Sequence, residues 1–286
     1  MGVVDFLIAL LFGIVEGITE WLPISSTGHM IILDRFLKLN VSEDFFSLYL
    51  VVIQLGAILA VVVLFWTEIW PFGKKHNTKP LTRGGLLSYV DVNKFRMWFK
   101  ILVACIPAGV VGVLFDDILD ALLYNYLVVA IALIVFGIAF IVTETFMKNK
   151  EPRCKDINDL TYFDALIIGF FQLLAAIFPG TSRSGSTIVG SLMIGVSREV
   201  AAKFTFFMAV PVMLGASLLK IVKYDGTVSN KELLVLGIGM VSAFLVSIFV
   251  LKFIIGYVRK RDFKVFGWYR IVLGIIVILV FRFILK

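Results

Sequence analysis

With 286 residues, of which 60% are hydrophobic and 16% charged, the chain carries far more apolar side chain than one soluble core can bury, which leaves a bilayer as its solvent. A hydrocarbon layer of about 30 Å takes about 20 apolar helical residues, so this length allows several spans joined by short loops and no separate soluble domain. The formal charge of +7 belongs in cytoplasmic loops of such a protein rather than on a nucleic-acid surface, and Cys105 and Cys154 offer neither metal-ligand spacing nor a disulfide pair.

The N-terminal stretch to Gly13 is apolar but lacks a basic flank and a small-residue cleavage site, so it is expected to stay in the mature protein. Residues 5–37 read as an apolar helix stopped by Pro23, a Ser/Thr/Gly-rich turn, and a second short apolar helix. Glu16 and Glu20 are four apart on the first helix and share a face. A charge at mid-bilayer costs about 2.5 to 3.5 kcal/mol on insertion scales, so the pair calls for water or a cation, and Mg²⁺ or Ca²⁺ suits paired carboxylates. The plainer alternative is that both acids are shallow and face water.

Pro23-Ile24-Ser25-Ser26-Thr27-Gly28-His29 follows directly. Its hydroxyls and Gly28 suit a turn opening a new helix, whose free N–H groups could hold a phosphate. His29, beside two acids and three hydroxyls, reads as catalytic rather than structural.

Three full spans follow, at roughly 45–66, 98–115 and 124–146. The first two are separated by a basic loop, 67–97, in which His76 reads as a solvated surface residue. Loop 116–123 holds Asp116, Asp117 and Asp120, best read as an ordinary solvated turn.

Residues 162–196 repeat the interrupted-hairpin pattern. Their turn, Pro179-Gly180-Thr181-Ser182-Arg183-Ser184-Gly185, places among hydroxyls and glycines a guanidinium whose planar fork matches phosphate oxygens. Three more spans are expected at 200–222, 232–256 and 266–285.

At an offset of 156, Gly13, Glu16, Pro23 and Ser26 fall on Gly169, Gln172, Pro179 and Ser182, which suggests two halves of about 1–147 and 160–286. The predicted fold is an all-α integral membrane protein, an inverted-topology repeat of six transmembrane helices plus two re-entrant helix-loop-helix hairpins. Four complete crossings by the half-helices would instead give ten spans; polar turns at membrane depth, tolerated only inside protein or water, argue against that. Basic residues fill loops 67–97, 147–161 and 257–265, which places these three inside and both termini outside. The first hairpin then enters from the outer face, the second from the cytoplasm, and the site opens outward.

Glu16-Gly-Ile-Thr-Glu20, Pro23-Ile-Ser-Ser-Thr-Gly-His29 and Pro179-Gly-Thr-Ser-Arg-Ser-Gly185 together resemble the undecaprenyl-pyrophosphate phosphatase family, also known as bacitracin-resistance proteins. The resemblance extends to Val52-Ile53-Gln54-Leu55-Gly56 and Tyr269-Arg270-Ile271, and so over nearly the whole chain. It implies hydrolysis of undecaprenyl pyrophosphate, a polyprenyl lipid, to the monophosphate carrier used in peptidoglycan synthesis, in the bacterial plasma membrane. By matching positions it makes Glu16, Glu20, Ser26, His29 and Arg183 active-site residues, with Ser25, Thr27, Gly28, Thr181, Ser182 and Ser184 as substrate-binding neighbours. Glu16 and Glu20 would hold the divalent cation.

A different lipid-phosphatase family needs a second catalytic histidine downstream of its arginine, and this chain has none there. A polyprenyl-phosphate flippase or other transporter is the alternative from another class, since broken helices meeting at mid-membrane also serve transport. The nucleophile, whether Ser26, His29 or water, stays open at this level, as does oligomeric state, a homodimer being one arrangement allowed.

Overall fold

A computed structural model describes residues 2–73 and 77–284, and the side chains of Asp116, Asp117, Asp120, Ala121 and Ile284 are not among what it describes. The expectation for His76 therefore lies outside the described residues. The chain is helical throughout its apolar segments: α1 (Val3–Thr19), α2 (Ser26–Phe36), α3 (Glu43–Leu64), the single turn α4 (Trp66–Ile69), α5 (Val92–Leu123), α6 (Tyr126–Met147), α7 (Tyr162–Ile177), α8 (Arg183–Met193), α9 (Arg198–Lys223), α10 (Asn230–Val258) and α11 (Lys264–Leu279).

Six helices are long and apolar enough to cross a membrane, and they coincide with the expected spans. Polar residues start most of them. Ser42, Asn125, Ser197 and Ser229 each accept an amide N–H from the first turn of the helix they precede. The loop expected at 116–123 is instead the end of α5, which runs unbroken to Leu123. No glycine or proline lies between Asp116 and Leu123 to stop it, so the aspartates continue the helix rather than form a turn.

The four helices of the interrupted segments are shorter. At 11 residues each, α2 and α8 are about 16 Å long, half a hydrocarbon layer, which excludes ten complete crossings. Three helices long and apolar enough to span, α3, α5 and α6, lie between the two hairpins, the odd number that an inverted arrangement requires. The prolines act at a distance: α1 ends at Thr19, four residues before Pro23, where a continuing helix would drive the ring into the Thr19 carbonyl. In the second hairpin Phe178, the residue before Pro179, is extended and caps α7.

α1 packs along α10, and α7 packs along α5. Both contacts close through glycines that correspond at the offset of 156. A Cβ on Gly13 would sit 2.4 Å from the Gly239 carbonyl oxygen, and one on Gly169 would sit 2.5 Å from that of Ala104. Such close approach lets dispersion contacts hold helices together where lipid offers no hydrophobic drive. Arg153 fastens the base of the second hairpin by donating to the Asp164 carboxylate and, at 2.6 Å, to the Ile194 carbonyl.

Candidate active site

The two short helices begin in the same unusual way. Ser25 caps α2 with φ 74° and its hydroxyl accepts from Gly28 N, while Ser182 caps α8 with φ 69° and accepts from Gly185 N. Among the described residues these are the only non-glycine positions with positive φ. Such conformations cost on the order of 1–3 kcal/mol each and persist where the surroundings over-determine them, typically at functional sites.

The offset between the caps is 157, so Ser25, not Ser26, is the counterpart of Ser182. One extra residue between Pro179 and the second cap shifts the register by one after the prolines. Gly28, expected in the turn, lies instead inside the first turn of α2.

Glu20 is where the hairpins meet. Its Oε1 accepts from Arg183 Nη2 at 2.9 Å, its Oε2 accepts from Ser26 Oγ at 3.1 Å, and its main-chain oxygen accepts from Ser184 Oγ at 3.1 Å. The other end of the guanidinium, Nη1, donates to the Thr205 carbonyl at 2.9 Å and so aims the fork. Ser26 opens α2 and Arg183 opens α8, and both touch one carboxylate, so the positive ends of two helix dipoles converge there. Helix starts and an arginine fork gathered at one point are groups that can hold a phosphate.

Glu16 lies one turn back on α1, 2% exposed, and its Oε1 has no hydrogen-bond partner. An unpartnered buried carboxylate oxygen beside Glu20 is what a hard cation or ordered water would satisfy. Among the described residues no third acidic, histidine or cysteine side chain joins the pair to complete a metal cluster.

His29 Nδ1 is 2.7 Å from the Ser25 carbonyl oxygen, and its Nε2 is 2.8 Å from Tyr269 Oη, with the two rings stacked 5.7 Å apart. A carbonyl only accepts, so Nδ1 carries the proton and Nε2 of the neutral ring accepts from the phenol. His29 is thus oriented by its own helix cap and by α11 rather than by Ser26.

The other expected binding residues divide by role. Ser25 and Ser182 spend their hydroxyls on the caps, and Ser184 braces the Glu20 carbonyl. Thr181 is fully buried with an unpartnered hydroxyl, and Thr27 is half-buried on the first turn of α2.

Tyr269, which contacts His29, and Arg270, which contacts both hairpin tips, adjoin the candidate site, and motif reading gave neither a role. Arg270 carried a signal, since a charge within an apolar span marks function by default. Tyr269 carried none of its own. Removing its hydroxyl in Tyr269→Phe deletes one hydrogen bond worth about 1 kcal/mol, so kcat is expected to fall roughly fivefold with folding unchanged. Steady-state kinetics beside a thermal melt in detergent checks this.

Comparison with known proteins gives one consistent result. The model of the family described as bacitracin resistance protein BacA matches residues 9–276. The chain is 57% identical over 281 residues to the undecaprenyl-diphosphatase of Desulfitobacterium hafniense, covering 98% of each chain. It is 54% identical over 278 residues to undecaprenyl-diphosphatase 1 of Clostridium acetobutylicum, covering 97% of this chain and 98% of the relative. An undecaprenyl-diphosphatase of Enterococcus faecalis is 53% identical over 277 residues, covering 97% of both.

Proposed function

Because the chain belongs to the bacitracin resistance protein BacA family, we propose that the network around Glu20 is the centre at which it hydrolyses undecaprenyl pyrophosphate. The enzyme is a multi-pass membrane phosphatase that releases undecaprenyl phosphate and inorganic phosphate, an activity that confers bacitracin resistance. The observation that carries the site assignment is that one buried carboxylate is held at once by Ser26 of the first hairpin and Arg183 of the second.

The pyrophosphate would sit at the convergent starts of α2 and α8, with its terminal phosphoryl group against Arg183 and its lipid tail in the bilayer. Ser26 Oγ already donates to Glu20 Oε2, so Glu20 can take the hydroxyl proton as Oγ attacks the terminal phosphorus. The bond from that phosphorus to the bridging oxygen breaks and undecaprenyl phosphate leaves. Water then cleaves the phosphoserine, giving inorganic phosphate and restoring the hydroxyl. Arg183 compensates the charge on the transferred group.

His29, oriented by Ser25 and Tyr269, would exchange its Nε2 contact to move a proton at the leaving or attacking oxygen. Glu16 and Glu20 would hold a divalent cation, Mg²⁺ or Ca²⁺, which when bound would neutralise charge on the pyrophosphate.

Purified protein in detergent should release phosphate from a polyprenyl pyrophosphate, and Ser26→Ala should lower the rate at least a hundredfold. Ser26→Ala acting at the wild-type rate would remove serine from the mechanism.

The matching caps, and the exchange of α1 on α10 for α7 on α5, support reading the chain as two related halves, about 1–147 and 160–286. The basic loops support an active site open to the outer face, with both termini outside. A cysteine at Thr27, in a variant lacking Cys105 and Cys154, should react with a membrane-impermeant thiol reagent added to intact cells. Labelling only after the cytoplasmic face is exposed would reverse the orientation.

A further inference from the structure

Arg270 is the one fully buried cation touching both hairpins among the described residues. It sits in α11 at 0% exposure and forms no ion pair with any described carboxylate. Its fork reaches main-chain oxygens instead. Nη1 donates to the Pro23 carbonyl at 3.3 Å, and Nη2 donates to those of Gly180 at 3.0 Å and Thr181 at 2.5 Å.

Pro23 lies two residues before the strained cap Ser25, and Thr181 lies immediately before the strained cap Ser182. One planar group therefore grips the chain just ahead of both positive-φ serines. The side chain has been given room. The Phe136 and Phe140 rings flank the guanidinium at 5.9 and 6.0 Å, and a Cβ on Gly185 would stand 2.5 Å from Nη1. Nε has no partner.

Burying a guanidinium without a carboxylate is expensive, and an apolar side chain would pack this space without that penalty. Strained caps, for their part, need something that over-determines them. Both facts have one explanation.

We propose that Arg270 is a positioning residue of the phosphatase: it locks the two re-entrant tips in mutual register, so that the starts of α2 and α8 and the Ser26–Glu20–Arg183 contacts face one point. The inference rests on the active-site reading above.

The test uses full-length enzyme in detergent, with Arg270→Lys and Arg270→Met compared at equal folded concentration, set by size-exclusion and thermal melting. Lysine keeps the charge but cannot span three carbonyls. Arg270→Lys should keep KM within about twofold while kcat falls on the order of tenfold, and Arg270→Met should lose about a hundredfold in kcat and raise KM. If both variants melt lower but keep wild-type kcat and KM per folded molecule, Arg270 is merely structural and the proposal falls. Should Arg270→Met fail to fold, the kcat and KM of Arg270→Lys decide alone. Ser26→Ala in the same preparation separates the two readings: its full activity would sink the site assignment, whatever Arg270 does.

Discussion

Arg183→Met is expected to lower kcat/KM by at least about a thousandfold, the largest effect of any single substitution in this enzyme. Two losses combine. The guanidinium is 13% exposed and its partner Glu20 is 7% exposed, so removing it leaves Glu20, beside the buried Glu16, without its side-chain counter-charge. Breaking a buried pair this way typically costs about 3–5 kcal/mol. The transferred phosphoryl group also loses its donor, and deletion of one such donor typically removes about 10²–10³ from the rate.

Arg183→Lys keeps the charge but not the fork that bridges Glu20 and the Thr205 carbonyl, so it should fall between wild type and Arg183→Met. The double variant Arg183→Met/Glu20→Gln should melt higher than Arg183→Met alone, because the stranded charge has gone. Phosphate release and thermal melts on the three variants check both statements. An Arg183→Met enzyme within tenfold of wild type would place the chemistry elsewhere.

Glu20→Gln is expected to cost about 10²–10³ in kcat, since it removes the acceptor of the Ser26 proton together with half of the carboxylate pair. Glu16→Gln removes only a ligand. It should fold normally, because Gln172 occupies the corresponding position of the other hairpin at 2% exposure. Its signature should be a demand for more divalent cation at little change in saturating kcat. Titration with Mg²⁺ and with Ca²⁺, from chelator-treated enzyme, separates the two variants. Full activity in excess chelator, or in Glu20→Gln, would contradict the cation assignment.

Glu16 and Glu20 could be picked out because a carboxylate inside an apolar run carries an insertion penalty that local sequence displays, His29 and Arg183 because each stands among hydroxyls and glycines at a proline-ended turn, and Ser26 by its match to the family motif. The spans were legible as unbroken apolar stretches of sufficient length. Less legible were events governed by a single residue. The pairing of Ser26 with Ser182 failed because one inserted residue after Pro179 shifts every later position, and an offset read from prolines does not see it. The continuation of α5 through Asp116, Asp117 and Asp120 was hidden as well: charge suggested a loop, whereas a helix stops only where backbone geometry makes it stop.

The sequence by itself determined a bilayer-embedded chain, six spans, two broken hairpins and the chemical groups each hairpin brings, because these follow from composition, run length and local turn chemistry. Only the tertiary structure decided that Glu20 and Arg183, 163 positions apart, form one ion pair, that Tyr269 holds His29, and that Arg270 binds both tips. Those contacts depend on how α1 seats on α10 and α7 on α5. That seating is set by close backbone approach at Gly13 and Gly169, which in a chain with 23 glycines nothing local distinguishes from the rest.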